Sequence, residues 1–281
     1  MSTSEQTMHP GADQSVLSFD RVSLSFEDTP ALENVSFNIT VGQSCVILGA
    51  AGSGKTLLLK TALGLVKPDS GRVIVFGKDI TGLKEAELFD MRARVGVLFQ
   101  EGGLFDSLTI EENVAYPLLN QRILTFPPDE VRPRVEEALR FVELEHTLDK
   151  FPSELSGGMR RRVGIARAVV TEPALILYDS PTAGLDPITS HTIVSLIIKE
   201  RDLRNATTVI VTHRYQDGAW LADFRYNPKS GMLAPAANNG RRVDHLTKFM
   251  VLREGQKVFE GSRAELEASQ DPYIAKFVKQ Q

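Results

Sequence analysis

The chain has 281 residues, 42% of them hydrophobic and 24% charged, and a net charge of −4. This composition is typical of a globular protein with a sizeable core, and its slight acidity argues against a general nucleic-acid binder. The single cysteine, Cys45, excludes an intrachain disulfide and lies in an apolar run, so we expect a buried thiol. No apolar run reaches the roughly 18 residues of a membrane span, and we see no signal peptide, so we expect a cytoplasmic protein.

Two strands are predicted near the N-terminus, after a polar stretch at residues 1–15 that we expect to be a flexible tail. Residues 16–26 and 32–41 contain alternating apolar side chains, as half-buried strands do. We interpret these two stretches as an antiparallel pair at the edge of a sheet.

A phosphate-binding loop follows, between an apolar run at residues 45–48 and a predicted helix at residues 56–63. Its small residues let backbone N–H groups turn toward a polyphosphate, and the start of the helix contributes its positive end. The lysine can reach the β- and γ-phosphates, and the threonine hydroxyl can bind Mg²⁺. The loop therefore predicts a nucleoside-triphosphate site, formed by Gly49, Ala50, Ala51, Gly52, Ser53, Gly54, Lys55 and Thr56.

Further strands are predicted at residues 71–77 and 95–99, the second of which ends at Gln100. The apolar pattern then becomes helical over residues 108–150, and another helix with its preceding loop is expected at residues 155–170. We assign about residues 101–170 to a helical subdomain.

Two apolar runs, residues 174–178 and 207–212, flank a predicted helix at residues 189–201. Near-continuous apolar strands separated by a helix indicate a parallel sheet that is covered on both faces. Asp179 ends the first of these strands, where a carboxylate beside a phosphate loop can bind Mg²⁺.

The last part of the chain begins with a polar stretch at residues 226–244 that is rich in glycine, proline and asparagine, which predicts a surface loop. Strands at residues 249–252 and 257–259 and a helical tail at residues 263–278 follow.

A second anion site is predicted at residues 155–159, whose sequence is Leu-Ser-Gly-Gly-Met. Ser156 can cap the helix that follows, while Gly157 and Gly158 expose backbone N–H groups at its positive end. Together with the phosphate loop, this segment resembles the signature of the ATP-binding cassette (ABC) family. The resemblance implies an α/β P-loop NTPase fold for residues 16–281, with a parallel core sheet, an antiparallel N-terminal β-subdomain and a helical signature subdomain.

The resemblance also implies a dimer in which two cassettes pair head to tail around ATP and Mg²⁺. The Ser156 loop of each subunit closes on the nucleotide held by its partner's Lys55. Gln100 matches the family's glutamine that touches Mg²⁺, and His213 matches its histidine at the γ-phosphate. Asp186 lies where the family links the two sites. Phe26 lies where the family stacks an aromatic ring on adenine, although an aromatic residue in a strand is, taken alone, more often part of the core.

One position departs from the family pattern. The family has glutamate directly after the Mg²⁺-binding aspartate, to polarise the attacking water. Here that residue is Ser180, a poor general base. Three explanations stay open: hydrolysis is slow and relies on His213, a competent second ATPase pairs with this one, or another carboxylate such as Glu101 or Asp186 approaches the water.

The stretch that follows Gln100 indicates a subtype. Residues 103–109 have the sequence G-L-F-D-S-L-T and residues 112–118 match E-N-V-A-x-P-L. Together with the C-terminal residues 271–278 they resemble the ATPase subunit of Mce/Mla-type lipid transporters. That resemblance implies a transmembrane permease as partner, docked near residues 104–108, and a place on the inner face of the membrane. The polar stretch at residues 226–244 is an insertion relative to this pattern.

Other functions stay open from the sequence. They are an ABC importer of another solute, a non-transport cassette of DNA repair or translation, and a nucleotide-gated scaffold with little hydrolysis. Three consecutive arginines, Arg160, Arg161 and Arg162, are interpreted as a solvated helix face rather than a nucleic-acid patch, because successive residues point in different directions around a helix.

Overall fold

The computed structural model describes residues 14–121, 123, 126–236 and 247–279. The strands are β1 (Ser15–Phe26), β2 (Thr29–Thr40), β3 (Ser44–Leu48), β4 (Ser70–Val75), β5 (Lys78–Asp79), β6 (Val95–Leu98), β7 (Leu175–Asp179), β8 (Thr207–Thr212), β9 (Phe224–Asn227), β10 (Met232–Pro235), β11 (Thr247–Arg253) and β12 (Gln256–Gly261). The α-helices are α1 (Lys55–Ala62), α2 (Glu85–Arg92), α3 (Ile110–Leu119), α4 (Pro128–Phe141), α5 (Gly157–Val169), α6 (Pro187–Arg204), α7 (Tyr215–Asp223), α8 (Arg263–Glu267) and α9 (Pro272–Lys279).

A six-stranded sheet forms the centre of the molecule, in the order β12-β11-β3-β8-β7-β6. Its strands are parallel except at one edge, where β12 pairs antiparallel with β11. Every residue of β3, β7 and β8 is buried. Their near-continuous apolar sequences therefore reflect cover on both faces of the sheet, as predicted.

The register of this sheet brings four loops to one edge. Leu48 at the end of β3 lies opposite Thr212 at the end of β8, and Asp179 at the end of β7 lies opposite Val211. Leu98, which ends β6, pairs with Tyr178. Because parallel strands end at the same side, the four segments that follow β3, β6, β7 and β8 leave the sheet together.

The N-terminal strands form their own sheet rather than an edge of the central one. It is antiparallel, with the order β2-β1-β4-β5. Its inner face, where Phe19 stacks on Phe37, shares a buried apolar cluster with α1 and one face of the central sheet. Cys45 lies in this cluster, and burial raises the pKa of its thiol to about 12, as suits the inert thiol we expected.

The opposite face of the central sheet is covered by α3, α4, α5 and α6, in the region where helices are predicted. The apolar side chains of α3 and α4 pack in the same buried cluster as Leu98 and Tyr178 of the sheet. Within the described residues, none of the helices has the length and apolar character needed to cross a membrane.

The polar stretch at residues 226–244 begins differently from the predicted loop. β9 and β10 pair as an antiparallel hairpin, with Met232 opposite Asn227 and Pro235 opposite Phe224. The turn between them is closed by Gly231, whose positive φ of 69° lets its N–H reach the Asn227 carbonyl at 2.9 Å. Residues 237–244 lie outside the described residues, as do residues 1–13 of the predicted tail.

A buried carboxylate lies between the sheet and α6. Glu200 is 1% exposed, and neither of its carboxylate oxygens has a hydrogen-bond partner among the described residues. The Tyr178 hydroxyl, also buried, likewise lacks one there. Desolvation raises the pKa of Glu200 to about 7; Glu172 adds to the shift, and Arg204, with Nε 3.4 Å from Oε1, and Lys199 oppose it.

We predict that Glu200 makes the stability of the fold pH-dependent. Its carboxyl binds a proton more tightly in the folded chain than in the unfolded one. Its contribution to the free energy of unfolding is therefore full below pH 4.5 and is lost as the pH rises through about 7. The loss amounts to about 3 kcal/mol at most. Urea unfolding of Glu200→Gln at pH 5.5 and pH 8 should therefore show a gain over wild type that grows with pH.

The exposed Glu137→Gln on α4 is the matched control and should follow the wild-type curve. Stability curves of Glu200→Gln and wild type that run parallel across this pH range would contradict the assignment.

Candidate functional site

The phosphate loop connects the end of β3 to the start of α1, and its glycines are required by its shape. Gly52 and Gly54 have φ values of 77° and 96°, a region that favours glycine. At Gly49 a Cβ atom would lie 2.4 Å from Ser53 Oγ and 2.6 Å from the Leu252 carbonyl oxygen. The loop therefore needs glycine at these positions for conformation or for space.

Lys55 lies inside the loop and is 8% exposed. Its ammonium donates to the carbonyl oxygens of Gly49 at 2.8 Å and Ala50 at 2.7 Å. Burial lowers the pKa of Lys55, and the charge of Asp179 opposes this shift. The two charges are therefore close enough to interact at this edge of the sheet.

A cleft of about 510 Å³ opens at this edge of the sheet. It brings the phosphate loop together with side chains from three other strand ends. Gln100 follows β6, Ser180 follows β7 and His213 follows β8. The described residues that line the cleft are Ala31, Ala51, Gly52, Ser53, Gly54, Lys55, Thr56, Leu57, Gln100, Ser180, Ala183 and His213.

The chemistry of two cleft residues, and of the buried Asp179 that precedes Ser180 without lining the cleft, suits Mg²⁺. Thr56 offers a hydroxyl, Gln100 an amide oxygen and Asp179 a carboxylate, all of them the oxygen ligands that this ion takes. Among the described residues, no cluster of three or more histidines, cysteines or carboxylates could hold a metal on its own. A sparse protein ligand set of this kind fits an ion that is also held by nucleotide phosphates.

The backbone at Ser180 is fixed by its neighbours. Its φ is 47°, its N–H donates to the Val211 carbonyl at 2.8 Å, and its hydroxyl lies 3.1 Å from Asp179 Oδ1. Arg161 of α5 donates to the Ser180 carbonyl at 2.9 Å and to the Ala183 carbonyl at 3.1 Å. The Val211 carbonyl, as acceptor, and the Arg161 guanidinium, as donor, therefore both restrain the loop after β7.

The interpretation of Arg160, Arg161 and Arg162 as a solvated face is wrong for Arg161, which is 4% exposed. Each of the three also donates to a backbone carbonyl, Arg160 to Leu155 and Arg162 to Val142. The helical spacing contained a usable signal, because the buried residues Ile165 and Ala168, four and seven positions after Arg161, lie on the same face of the helix.

Asp217 of α7 was not identified from the sequence. It is 3% exposed, and its Oδ2 accepts hydrogen bonds from the hydroxyls of Thr182 at 2.5 Å and Thr212 at 3.0 Å. Arg214 lies 3.7 Å away. Desolvation raises the pKa of Asp217, and these partners act against the shift. The carboxylate thus ties the loop after Asp179 to the strand end that carries His213; no periodic pattern marks it in the sequence.

Ser156, Gly157, Gly158 and Asp186 form a second cluster that does not line the cleft. The Ser156 hydroxyl caps α5 by accepting from the Met159 N–H at 3.2 Å, and Asp186 caps α6. A Cβ on Gly158 would lie 2.5 Å from Thr189 Cγ2, so the starts of the two helices are in contact. The predicted anion site is therefore separate from the phosphate loop of the same chain.

Phe26 at the end of β1 is 53% exposed. It does not line the cleft, and it is not a core residue, which was the alternative interpretation of this position. Its ring is therefore accessible for stacking.

Comparisons with known proteins identify the family. Residues 32–183 match the family described as ABC transporter. The probable ribonucleotide transport ATP-binding protein mkl of Mycobacterium leprae is 40% identical over 189 residues, or 67% of this chain and 54% of that protein. The methionine import ATP-binding protein MetN of Carboxydothermus hydrogenoformans is 42% identical over 183 residues, or 65% of this chain and 53% of that protein. The chain spans about half the length of these curated relatives.

Solved structures give the same result. The ATP-binding cassette MJ0796, solved as a dimer in a post-hydrolysis state with ADP and Pi, superimposes with a TM-score of 0.74 at 30% identity, over 88% of this chain and 98% of its own. The protein cbiO1 from Clostridium perfringens, part of the ABC transporter complex cbiONQ, has a TM-score of 0.74 at 28% identity, over 95% of each chain. These matches confirm the predicted fold class. The chain belongs to the ABC transporter family, as an ATP-binding cassette of the ATPase class.

Proposed function

We propose that this chain is the ATP-hydrolysing subunit of a membrane transporter of phospholipids or other lipids, of the Mce/Mla type. The observation that carries the ATPase part is the cleft in which Lys55, Thr56, Gln100, Ser180 and His213 come together. In this proposal the loop N–H groups and Lys55 hold the phosphates of ATP. Thr56, Gln100 and Asp179 hold Mg²⁺, which neutralises the phosphate charge, and His213 contacts the γ-phosphate.

The partner in catalysis is a second cassette, which we propose to be an identical chain. The second cluster supports this, because Ser156, Gly157 and Gly158 form a helix N-terminus suited to an anion yet lie outside their own cleft. Head-to-tail pairing would bring that cluster onto the nucleotide of the other subunit, with Asp186 between the two sites. The solved dimer of MJ0796 has this oligomeric state.

ATP binding would close this dimer and hydrolysis would reopen it. The step that hydrolysis requires, removal of a proton from the attacking water, is where this chain differs from its family. Ser180 has no basic group, and its hydroxyl hydrogen-bonds to Asp179. We therefore propose slow turnover in which His213, which lines the cleft beside Ser180, assists; Asp186 lies in the second cluster, outside the cleft of its own chain.

Turnover should rise when a base is restored at position 180. Because a positioned general base contributes about 10²–10⁴-fold, Ser180→Glu is expected to raise the rate of phosphate release by at least tenfold while leaving the affinity for ATP within about threefold. Ser180→Gln is the matched control, since it adds a similar side chain without a base. A wild-type rate already typical of ABC ATPases, and insensitive to both changes, would contradict the proposal.

The lipid assignment rests on the segment after Gln100, and the structure gives a physical role to its asparagine. Asn113 of α3 is fully buried. Its amide donates to the carbonyls of Phe105, Leu108 and Thr109 at 3.0, 3.1 and 2.9 Å, and its oxygen accepts from the Phe105 N–H at 2.8 Å. One side chain therefore organises the G-L-F-D-S-L-T loop that carries the resemblance.

This loop presents an apolar surface that suits a permease. Phe105 and Tyr116 are 42% and 40% exposed, and their ring centroids are 4.7 Å apart. Leu119, one turn further along α3, is 64% exposed. We call Phe105, Tyr116 and Leu119 the apolar patch. Exposed apolar side chains grouped in this way mark interaction sites, and docking here would place the subunit on the inner face of the membrane.

Two other functions are supported by specific observations. The curated relatives are named for ribonucleotide transport and methionine import, which favours an importer of a polar solute as the second candidate. The absence of a base at Ser180 favours a nucleotide-gated scaffold as the third. The identity of the transported molecule distinguishes the lipid transporter from the importer of a polar solute. The ATPase rate distinguishes both of them from the nucleotide-gated scaffold.

We predict that the chain co-purifies with a transmembrane subunit and that mass spectrometry of the complex finds phospholipid. Leu119→Asp should abolish this co-purification, because it places a charge in the apolar patch, without loss of ATP binding. Met232→Asp is the control, since Met232 is 68% exposed on β10, outside the patch. A complex that holds a polar solute and no lipid would favour the importer, and failure to recover any membrane subunit would defeat the transport proposal.

A further inference from the structure

We propose that Tyr273 of the C-terminal helix α9 is a positioning residue for the phosphate loop. Its hydroxyl accepts a hydrogen bond from the Ala50 N–H at 3.1 Å and donates one to the Leu252 carbonyl at 3.0 Å. The hydroxyl thus bridges the loop to β11, the neighbour of β3 in the central sheet. Tyr273 is 223 residues away from Ala50 in sequence, and no motif predicts the contact.

The bond acts on a peptide group that Lys55 also contacts. The Ala50 N–H and the Gly49 carbonyl belong to one peptide plane. Tyr273 holds the N–H side of that plane, and Lys55 Nζ donates to the carbonyl side at 2.8 Å. When Lys55 turns to the phosphates of ATP, this carbonyl loses its donor. The hydrogen bond to the Tyr273 hydroxyl then still fixes the orientation of the Gly49–Ala50 peptide plane.

The remaining restraints on this peptide do not make Tyr273 redundant. The Leu252 carbonyl lies against Gly49, where a Cβ would approach it to 2.6 Å, but it accepts its hydrogen bond from the Tyr273 hydroxyl and not from the Ala50 N–H. The turn after β11 contacts the loop further along, where the Gly255 N–H donates to the Ser53 carbonyl at 3.3 Å. Neither contact supplies an acceptor for the Ala50 N–H, which is in an exposed residue. Without the Tyr273 hydroxyl this N–H would bond only to water, which does not fix the orientation of the peptide.

Tyr273 is itself held in place from both sides. Asp271 caps the start of α9, with its Oδ1 2.7 Å from the Tyr273 N–H, and its Oδ2 lies 3.6 Å from Arg253 of β11. The guanidinium carbon of Arg253 lies 5.6 Å from the centroid of the Tyr273 ring, and Phe277 packs edge-on against that ring at 5.3 Å. The hydroxyl therefore has a fixed position from which to orient the loop.

The test is Tyr273→Phe, which removes the hydroxyl and keeps the ring. We expect the dissociation constant for Mg-ADP, measured by isothermal titration calorimetry, to rise about two- to tenfold, as loss of one hydrogen bond predicts. The KM for Mg-ATP should rise by a similar factor, with kcat within about twofold. Tyr226→Phe on β9, which lies outside the cleft, is the matched control and should bind nucleotide as wild type does.

Amide hydrogen exchange provides a second measurement. If α9 had a purely structural role, the substitution would not change the exchange rate of the Ala50 amide selectively. Tyr273→Phe should speed exchange of the Ala50 N–H while the amides of β3 keep their protection. Unchanged nucleotide affinity, or an Ala50 amide as protected as in wild type, would overturn the inference. The inference rests on the proposed nucleotide site: a wild-type chain that does not bind Mg-ATP refutes the proposed function, whereas one that binds it no more tightly than Tyr273→Phe refutes only the role of Tyr273.

Discussion

The buried guanidinium of Arg161 is the contact on which the arrangement of the site depends. It is 4% exposed and donates to the carbonyls of Ser180 and Ala183, which lie in the loop after β7. A buried charge is unfavourable unless it is hydrogen-bonded, so removal of these carbonyls from their positions would leave the guanidinium poorly satisfied. The loop and the helix therefore determine each other's position, and the segment that begins at Asp179 cannot shift without α5.

The same helix reaches two other functional segments. Its first turn is capped by Ser156, and Arg167 near its C-terminal end donates to the carbonyls of Gly102 and Gly103, just after Gln100. Burial lowers the pKa of Arg167, whose guanidinium carbon also lies 5.6 Å from the centre of the Phe105 ring in the apolar patch. A single helix thus contacts the candidate docking surface, the segment after Gln100 and the loop after β7, and its first turn carries the predicted anion site. Continuous contacts through α5 therefore connect the apolar patch to the edge of the cleft.

Sequence patterns predicted the parts of the fold that are built from repeated local rules. The buried strands β3, β7 and β8 were visible as apolar runs, and the phosphate loop was visible because its backbone demands glycine at fixed places. The helices α2 and α7 were missed. α2 has only Leu88 and Met91 buried, too few to mark a face, and α7 follows His213 at once and contains Gly218. The hairpin of β9 and β10 was predicted as a loop because its turn residues dominate its composition.

The site residues divide in the same way. Residues marked by a motif, such as Lys55 and His213, were predicted as site residues and line the cleft, whereas residues that are positioned by tertiary contacts were not predicted. Asp217 lies in a helix that has no polar signature, and its role depends on Thr182 and Thr212, 35 and 5 residues away in sequence. Arg161 looked like surface charge because arginine is seldom buried. Only the folded chain reveals which carbonyls a buried donor satisfies.

The contacts around Ser180 separate the shape of the site from its chemistry. The backbone there is fixed by the Val211 carbonyl and by Arg161, while the side chain makes one hydrogen bond within the described part of the chain, to Asp179. The side chain can therefore change without altering the loop. A missing base raises the activation barrier by about 3–5 kcal/mol but leaves the phosphate and Mg²⁺ ligands where they are. In the proposed dimer, nucleotide binding and closure would keep their driving force while reopening would slow, so serine at this position would lengthen the life of the closed state rather than prevent it.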